Sequence, residues 1–260
     1  MADLGKTIRK VALMSTKEAL KYADSIHALL QRIETTQVDN IQAAATGLAE
    51  TIANDGIIYT FGTGHSHLIA EDVVYRAGGI VPIDAILEPS LTGHQQVHKS
   101  ETMERVEGMA EVILNYYDIQ AKDALIIISN SGRNAAPIEM AKIAKERGCL
   151  VIAVTSLSHS QGTTSRHSSA MKLFDYADIV IDNQAPKGDT IMQLDGMDAP
   201  IGACSGVTGL FIMQMMMVAT CETLLEKGIQ PPVFRSGNLD GSDTYNKAMM
   251  QKYVGRIKIW

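Results

Sequence analysis

The sequence is poor in aromatic residues, in cysteine and in positive charge. Aromatic residues make up 5% of the 260 positions, and the formal net charge is −6. A non-specific nucleic-acid binder needs a basic face to neutralise phosphates, so we expect no nucleic-acid partner. The three cysteines are widely spaced and none lies in a CxxC pair, which is typical of reduced thiols. We therefore expect a cytoplasmic protein whose core consists mainly of aliphatic residues and methionine.

Long hydrophobic runs are scarce, with one exception. The N-terminal segment has basic residues but no apolar run or cleavage site, so we expect no secretory signal. The stretch Ala199–Cys221 has no charged residue, and a membrane span needs about 20 apolar residues. However, Pro200, Gly202 and Gln214 interrupt its apolar character, and no basic residue flanks it. The pattern predicts a buried core helix over 203–226 and no membrane partner.

What the sequence does contain is an alternation of short apolar runs with helical patterns. Continuous β-branched runs are typical of strands that are buried on both faces of a sheet. Strands that alternate with helices indicate right-handed crossovers and a parallel sheet. We therefore predict an α/β protein, a three-layer α/β/α sandwich with a five-stranded parallel sheet. The predicted strands are 57–61, 80–83, 124–128, 150–154 and 179–181, and the predicted helices between them are 67–77, 102–116 and 135–147.

The same patterns divide the chain into three parts. Apolar residues at three- and four-residue steps predict extra N-terminal helices, with a break at 35–37. We assign 1–34 to an N-terminal helical arm and 35–226 to the main domain. Residues 227–260 form a loop and a last helix near 244–254, which we assign to the same domain.

Two of the predicted strands are followed by loops that suit an anion. The first loop is 62–66 (GTGHS), with two glycines and a serine at the start of a helix. Such a loop can offer a hydroxyl beside free backbone N–H groups. A dinucleotide-binding motif would require a third glycine where His67 stands, and no Gly-Lys-Ser/Thr of a nucleotide-binding loop follows.

The second loop is 129–134 (SNSGRN), which again lies between a strand and a helix. Ligands of open α/β sheets bind at the carboxyl ends of strands, where both loops lie. Together they predict a phosphate held by hydroxyls and N–H groups, without a metal and without a nucleotide motif. A phosphorylated sugar fits that description.

These two loops resemble the signature loops of the SIS (sugar isomerase) domain family, over about residues 35–225. The resemblance implies the SIS fold, a phosphosugar ligand, and a homodimer or homotetramer with sites shared between subunits. Asn134 stands where the family usually has threonine, and it keeps the ability to form hydrogen bonds. By this resemblance the phosphate-binding residues are Gly64, His65, Ser66, Ser129, Asn130, Ser131 and Asn134.

Three further stretches are similar to uncharacterised sugar-isomerase-domain proteins and, more distantly, to N-acetylmuramic acid 6-phosphate etherases. They are 104–111 (ERVEGMAE), 205–209 (SGVTG) and 236–239 (SGNL). Phosphoheptose isomerases are further relatives with the same first loop. Enzymes of these kinds remove a proton beside a sugar carbonyl, which requires an acid or base of suitable pKa.

The resemblance to the etherases makes Glu107 the first candidate for the catalytic base. Glu71 is the second candidate, with Asp72 as an equal alternative on the same predicted helix. His94 and His98 are four residues apart, and His94 is a candidate general acid in a loop over the site. Further candidate ligand contacts are Thr63, Lys187 or Asp189, and Ser205.

The leading functional hypothesis is an aldose–ketose isomerase that transfers a proton at C2 of a sugar phosphate. The alternatives are a lyase or etherase for a phosphorylated amino sugar, and a non-catalytic phosphosugar sensor. His65 and His67 are two residues apart, which is not the spacing of a helical metal site, so we expect no metal. We expect no cofactor. Cys204 has apolar neighbours, so we expect it to pack in the core.

Overall fold

The computed structural model describes residues 16–94 and 96–260. Its first two helices are α1 (Lys17–Thr36) and α2 (Val38–Ala53), and they meet at Gln37, inside the predicted break. Gln37 joins the two helices to the rest of the fold, because its side-chain oxygen accepts a hydrogen bond from the Asp182 backbone N–H at 3.0 Å. The helical pattern predicted before residue 16 lies outside the described residues.

The five predicted strands form one parallel sheet, in the order β2-β1-β3-β4-β5. This confirms the predicted sheet and its three-layer class. The strands are β1 (Ile58–Gly62), β2 (Ile83–Ile86), β3 (Ala124–Ile128), β4 (Leu150–Thr155) and β5 (Ile179–Asp182).

The second strand lies three residues later than predicted. The apolar residues that suggested a strand at 80–83 are buried, but Ile83 begins β2 of the main sheet, whereas Ile80 and Val81 pair with the C-terminal segment. Ile80 forms an antiparallel bridge with Val233, and the Val81 N–H donates to the Pro232 carbonyl at 2.8 Å. One continuous apolar run therefore contains residues that pair with the C-terminal segment and residues that pair with the main sheet. The sequence pattern could not distinguish the two.

Helices cover both faces of the sheet because strand side chains alternate between the faces. Ile58 of β1 packs in the cluster that holds Leu48 of α2, whereas Tyr59 packs in the opposite cluster. The helices between the strands are α3 (Ser66–Asp72), α4 (Pro89–Thr92), α5 (Val97–Met103), α6 (Met109–Tyr117), α7 (Ala135–Glu146), α8 (Leu157–Gln161) and α9 (Leu173–Tyr176).

Two of the predicted helices are shorter in the structure. The helix predicted over 67–77 ends at Asp72, and Tyr75 beyond it has a positive φ of 43°. The helix predicted over 102–116 is interrupted between α5 and α6, where Gly108 has a φ of +86°. This interruption is the most consequential difference, because it determines where Glu104 and Glu107 point.

The chain continues through a hairpin, β6 (Thr190–Met192) and β7 (Ile201–Ala203), that the patterns did not predict, and then α10 (Ser205–Glu226) and α11 (Ser242–Gln251). Within the described part of the chain, α10 is the one helix long and apolar enough to cross a membrane, and half of its apolar window is buried inside the protein. Its Met213 and Met216 lie in the same core cluster as Leu48 of α2, as expected for a core helix.

The C-terminal segment is attached to the sheet by two buried carboxylates. Arg256 donates to Asp123 at 2.7 Å, and Asp123 also accepts the Ile57 N–H at 2.8 Å. The Lys258 N–H donates to Asp84 of β2 at 2.6 Å. Both carboxylates are almost completely buried.

Candidate active site

The two loops that the sequence singled out are neighbours in space. β1 and β3 are adjacent parallel strands, and Gly62 at the end of β1 pairs with Ile128 at the end of β3. The residues that follow them, 63–65 and 129–134, therefore leave the sheet side by side at its carboxyl edge. This confirms that one edge of one sheet carries both hydroxyl-rich loops.

The first loop is shaped by glycine and leaves one hydroxyl free. A side chain at Gly62 would place Cβ 2.5 Å from the Ser66 carbonyl oxygen, so only glycine allows this tight turn. Gly64 has a positive φ of 52°, and its N–H donates to the Leu91 carbonyl at 2.9 Å. The hydroxyl of Ser66 has no hydrogen-bond partner within the described residues, so it is available to a ligand.

The second loop is held from the neighbouring strands. Thr155 of β4 donates to the Ser129 carbonyl at 2.7 Å, and Asn183 after β5 donates to the side-chain oxygen of Asn130 at 2.6 Å. The Asn130 side-chain NH₂ is thereby left for other partners. The Ser131 hydroxyl, like that of Ser66, bonds to none of the residues described. Gly132 has a φ of +53°, a conformation that favours glycine.

Glu104 connects the two loops. Its carboxylate accepts from the Thr63 hydroxyl at 2.8 Å and from the Asn134 side-chain NH₂ at 2.6 Å. Its carbonyl accepts the Ala136 N–H at 3.0 Å, which attaches it to the first turn of α7. Burial raises the pKa of Glu104, and the hydrogen bond from Thr63 offsets part of that rise. A carboxyl with a raised pKa between two hydroxyl-rich loops is suited to proton transfer.

Sequence reasoning placed Glu104 in an etherase-like stretch but chose Glu107 as the base. The resemblance to the etherases favoured Glu107, and the helix predicted over 102–116 did not include the interruption that the structure has after Met103. The chain turns away at that point, so Glu104 faces the loops. No local pattern in the sequence indicates this turn except Gly108, a residue that permits positive φ.

A cavity of about 450 Å³ opens beside Glu104. Three histidines line it, and the ring centroids of two of them, His67 and His94, lie 5.9 Å apart. His67 contacts the Gly64 carbonyl through Nδ1. A carbonyl can only accept, so Nδ1 is the donor in this contact. His94 shares a 2.6 Å hydrogen bond with Thr92. The lining residues are Gly64, His65, His67, Leu68, Thr92, Gly93, His94, Val97, Ser100, Glu101 and Glu104.

Arginines surround the second loop, a feature that the sequence analysis missed. Arg166 donates to the Asn134 side-chain oxygen at 3.1 Å, and Arg133 donates to Thr164 at 3.3 Å. Burial lowers the pKa of Arg166, and the charges of Arg133 and Arg105 lower it further, as expected when guanidinium groups lie close together. Three guanidinium groups thus lie close together at the second loop although the whole chain is acidic, and the carboxylates of Glu104 and Glu101 also act on Arg166. Arg166 comes from a distant loop, so no spacing pattern could have found it.

Glu107 lies elsewhere. Its carboxylate accepts from the Ser168 N–H and hydroxyl, each at 2.7 Å, and these bonds lower its pKa. It does not line the cavity beside Glu104. Glu71 is exposed on α3, and Asp72 forms an ion pair with Arg76. Their catalytic roles stay predictions, but the structure does not bring these carboxylates to the two loops.

The remaining candidates have structural partners. Lys187 donates to the Gly162 carbonyl at 3.2 Å. Ser205 donates to Asp189 through its N–H at 2.7 Å and its hydroxyl at 2.8 Å, so Asp189 caps the start of α10. Cys204 is buried, and burial raises the pKa of its thiol to about 12, in agreement with a packing role. His98 is exposed, with Glu101 at 3.9 Å.

The sequence matches a known family and several relatives. A family model described as the SIS domain matches residues 21–156. A UPF0309 protein of Halalkalibacterium halodurans is 42% identical over 239 residues, which covers 92% of this chain and 99% of the relative. A UPF0309 protein of Streptomyces coelicolor is 41% identical over 243 residues, covering 93% of this chain and 97% of the relative.

The fold is similar to that of solved phosphoheptose isomerases. The enzyme from Neisseria gonorrhoeae superposes with a TM-score of 0.56 at 20% identity, covering 80% of this chain and 99% of that chain. The enzyme from Francisella tularensis gives a TM-score of 0.51 at 16% identity, covering 80% of this chain and 98% of that chain. At these identities the likeness concerns the fold.

Proposed function

Because the chain belongs to the SIS domain family, we propose that it binds a sugar phosphate between loops 62–66 and 129–134 and isomerises it. The observation that carries this proposal is the position of Glu104. One carboxylate accepts hydrogen bonds from both loops and lines the adjoining cavity. The base and the anion site thus share one edge of the sheet.

The phosphate would be held by groups that have spare hydrogen-bonding capacity. The hydroxyls of Ser66 and Ser131 have no partner in the described part of the chain. Arg133 and Arg166 add positive charge at the second loop. Hydrogen bonds to a charged group are worth about 1.5–3 kcal/mol each, so a few such contacts suffice for a small phosphorylated ligand.

The sugar would occupy the cavity of about 450 Å³, a volume within the usual range of small-molecule sites. In the proposed reaction Glu104 removes the proton from C2 of the open-chain aldose, and the electron pair forms an enediolate. The carbonyl oxygen takes a proton from His94, which lines the same cavity. Return of the proton from Glu104 to C1, with loss of the proton from the C2 hydroxyl to His94, gives the ketose.

The raised pKa of Glu104 serves this step, because a base of raised pKa accepts a proton more readily from carbon. The base works in its ionised form. Activity should therefore decline as the pH falls through the raised pKa of Glu104.

The test is ¹H NMR in D₂O with a panel of aldose and amino-sugar phosphates. We expect loss of the C2 proton signal and appearance of a ketose. Glu104→Gln should lower the exchange rate at least about 100-fold, the usual contribution of a general base. Glu107→Gln is the matched comparison, since it removes the neighbouring carboxylate that does not line the cavity.

Each outcome separates one hypothesis from the others. Loss of exchange in Glu107→Gln with full exchange in Glu104→Gln would assign the base to Glu107. Release of an alcohol or acid from C3 would identify a lyase or etherase. Binding without exchange for every sugar phosphate would contradict an enzyme and favour a sensor.

A further inference from the structure

We propose that Glu107, Glu139 and His167 form a binding site for a first-row divalent metal ion such as Zn²⁺, outside the sugar cavity. One ligand atom from each side chain lies within 4.8 Å of the other two. Imidazole nitrogen and carboxylate oxygen are the donors that Zn²⁺ and its neighbours in the first row accept. Metal binding here does not depend on the proposed isomerase activity.

The two distances from the His167 nitrogen to the carboxylate oxygens are close to those of a tetrahedral site. Metal–ligand bonds of about 2.1 Å place neighbouring donors about 3.4 Å apart. Nε2 of His167 lies 3.4 Å from Glu139 and 3.8 Å from Glu107. Glu107 is the most exposed of the three, so its carboxylate can move toward the ion if its bonds to Ser168 lengthen. Three protein ligands leave at least one position open to water or a ligand.

The ligands come from separate segments, and each is oriented by a further bond. Both oxygens of Glu139, on α7, lie 2.9 Å from the Gly108 N–H. Glu107 is fixed by Ser168, and Nδ1 of His167 lies 2.7 Å from the Ser169 hydroxyl. A metal on Nε2 of His167 requires the proton on Nδ1. Nδ1 then donates to the Ser169 hydroxyl and can no longer accept the bond from the Ser169 N–H. Such outer bonds orient metal ligands in proteins.

The site also lacks a fixed cation. No lysine or arginine in the described ranges lies within 4.0 Å of the carboxylates of Glu107 and Glu139. Lys142 and Arg147 line the adjoining cavity of about 390 Å³, but Lys142 lies 4.0 Å from Glu146 and Arg147 donates to an asparagine of α6. A divalent ion would neutralise the two carboxylates, of which Glu139 is only 12% exposed.

A metal in this position would connect three parts of the fold: the turn between α5 and α6, helix α7, and the loop between α8 and α9. That last loop carries Arg166, the neighbour of His167 and the partner of Asn134. The ion would therefore hold Arg166 against the second loop. Sequence patterns could not indicate the site, because its ligands are far apart in the chain.

The test uses the full chain after treatment with a chelator. Zn²⁺ binding is measured by titration calorimetry, and Co²⁺ is used as a visible-absorption probe of the ligand geometry. We expect one site that Glu107→Gln and His167→Ala each weaken at least about 100-fold, by analogy with the cost of losing supporting groups in metal sites. Circular dichroism establishes that each variant is folded, and Glu107→Gln changes an exposed position.

His94→Ala is the matched control, because it removes a potential ligand from the sugar cavity and none from the proposed site. It should bind Zn²⁺ as the unmodified chain does. The proposal is overturned if the unmodified chain binds neither ion, if Glu107→Gln and His167→Ala keep its affinity, or if His94→Ala alone abolishes binding.

Discussion

Asp84 should make the protein more stable in mild acid than at neutral pH. The carboxylate lies in β2 and is completely buried. One oxygen accepts the Lys258 N–H at 2.6 Å, and the other has no hydrogen-bond partner within the described residues. Burial raises the pKa of Asp84 from 3.8 to about 6, although backbone bonds from Lys258 and Ile259 act in the opposite direction.

The size of the effect follows from the difference between the two pKa values. The pKa of Asp84 rises by about two units, and at about 1.4 kcal/mol per unit this corresponds to about 3 kcal/mol in the free energy of unfolding. The folded state binds the proton more tightly than the unfolded state. The stabilisation from Asp84 is therefore fully present below pH 3.8 and is lost as the pH rises through about 6.

Asp84→Asn removes the charge while its amide oxygen can still accept from Lys258. We expect this variant to gain stability over the unmodified chain as the pH rises from about 4 to 8, by about 2.5 kcal/mol in the free energy of unfolding, because a small part of the change occurs below pH 4. Urea denaturation at several pH values measures this, and subtraction at each pH cancels the other titrating groups. Asp198→Asn, at an exposed position, is the control for loss of one surface charge. A difference between Asp84→Asn and the unmodified chain that stays constant from pH 4 to 8, or that changes in the opposite direction, would refute the reasoning.

Three further predictions concern the loops and the C-terminal segment. Ser131→Ala should weaken sugar-phosphate binding by about 10-fold or more in titration calorimetry, because the variant loses a hydrogen bond from a hydroxyl to the charged phosphate. Unchanged affinity would show that Ser131 does not belong to the site. Gly62→Ala should destabilise the protein by about 2 kcal/mol, because the added Cβ would lie 2.5 Å from a backbone carbonyl oxygen. Gly206→Ala is the control and should have no such effect, because the space around Gly206 is open. Equal unfolding midpoints for the two variants would contradict this reasoning. Arg256→Met should cost about 2 kcal/mol in urea denaturation, because Asp123 keeps its buried charge without a cation. No loss of stability at neutral pH would show that the pair contributes nothing.

Local sequence was sufficient for four of the five strands of the sheet. Strands buried on both faces need continuous apolar runs, so the segment 124–128 could be predicted to the residue. The hydroxyl-rich loops were equally visible, since they follow directly after such runs. The apolar run at 80–83 was misleading for the same reason, because burial beside Val233 requires the same residue types as a strand of the sheet.

The sequence by itself thus determined the class of fold, the edge of the sheet that carries the loops, and the residue types that suit a phosphate. Only the tertiary structure decided which charged groups meet there. The turn after Met103 brings Glu104 to Thr63 and Asn134, and directs Glu107 to Ser168. These contacts join residues about 30 to 60 positions apart in the chain. Periodicity reports only which face of its own element a residue occupies, so it cannot report which distant side chain that face will meet.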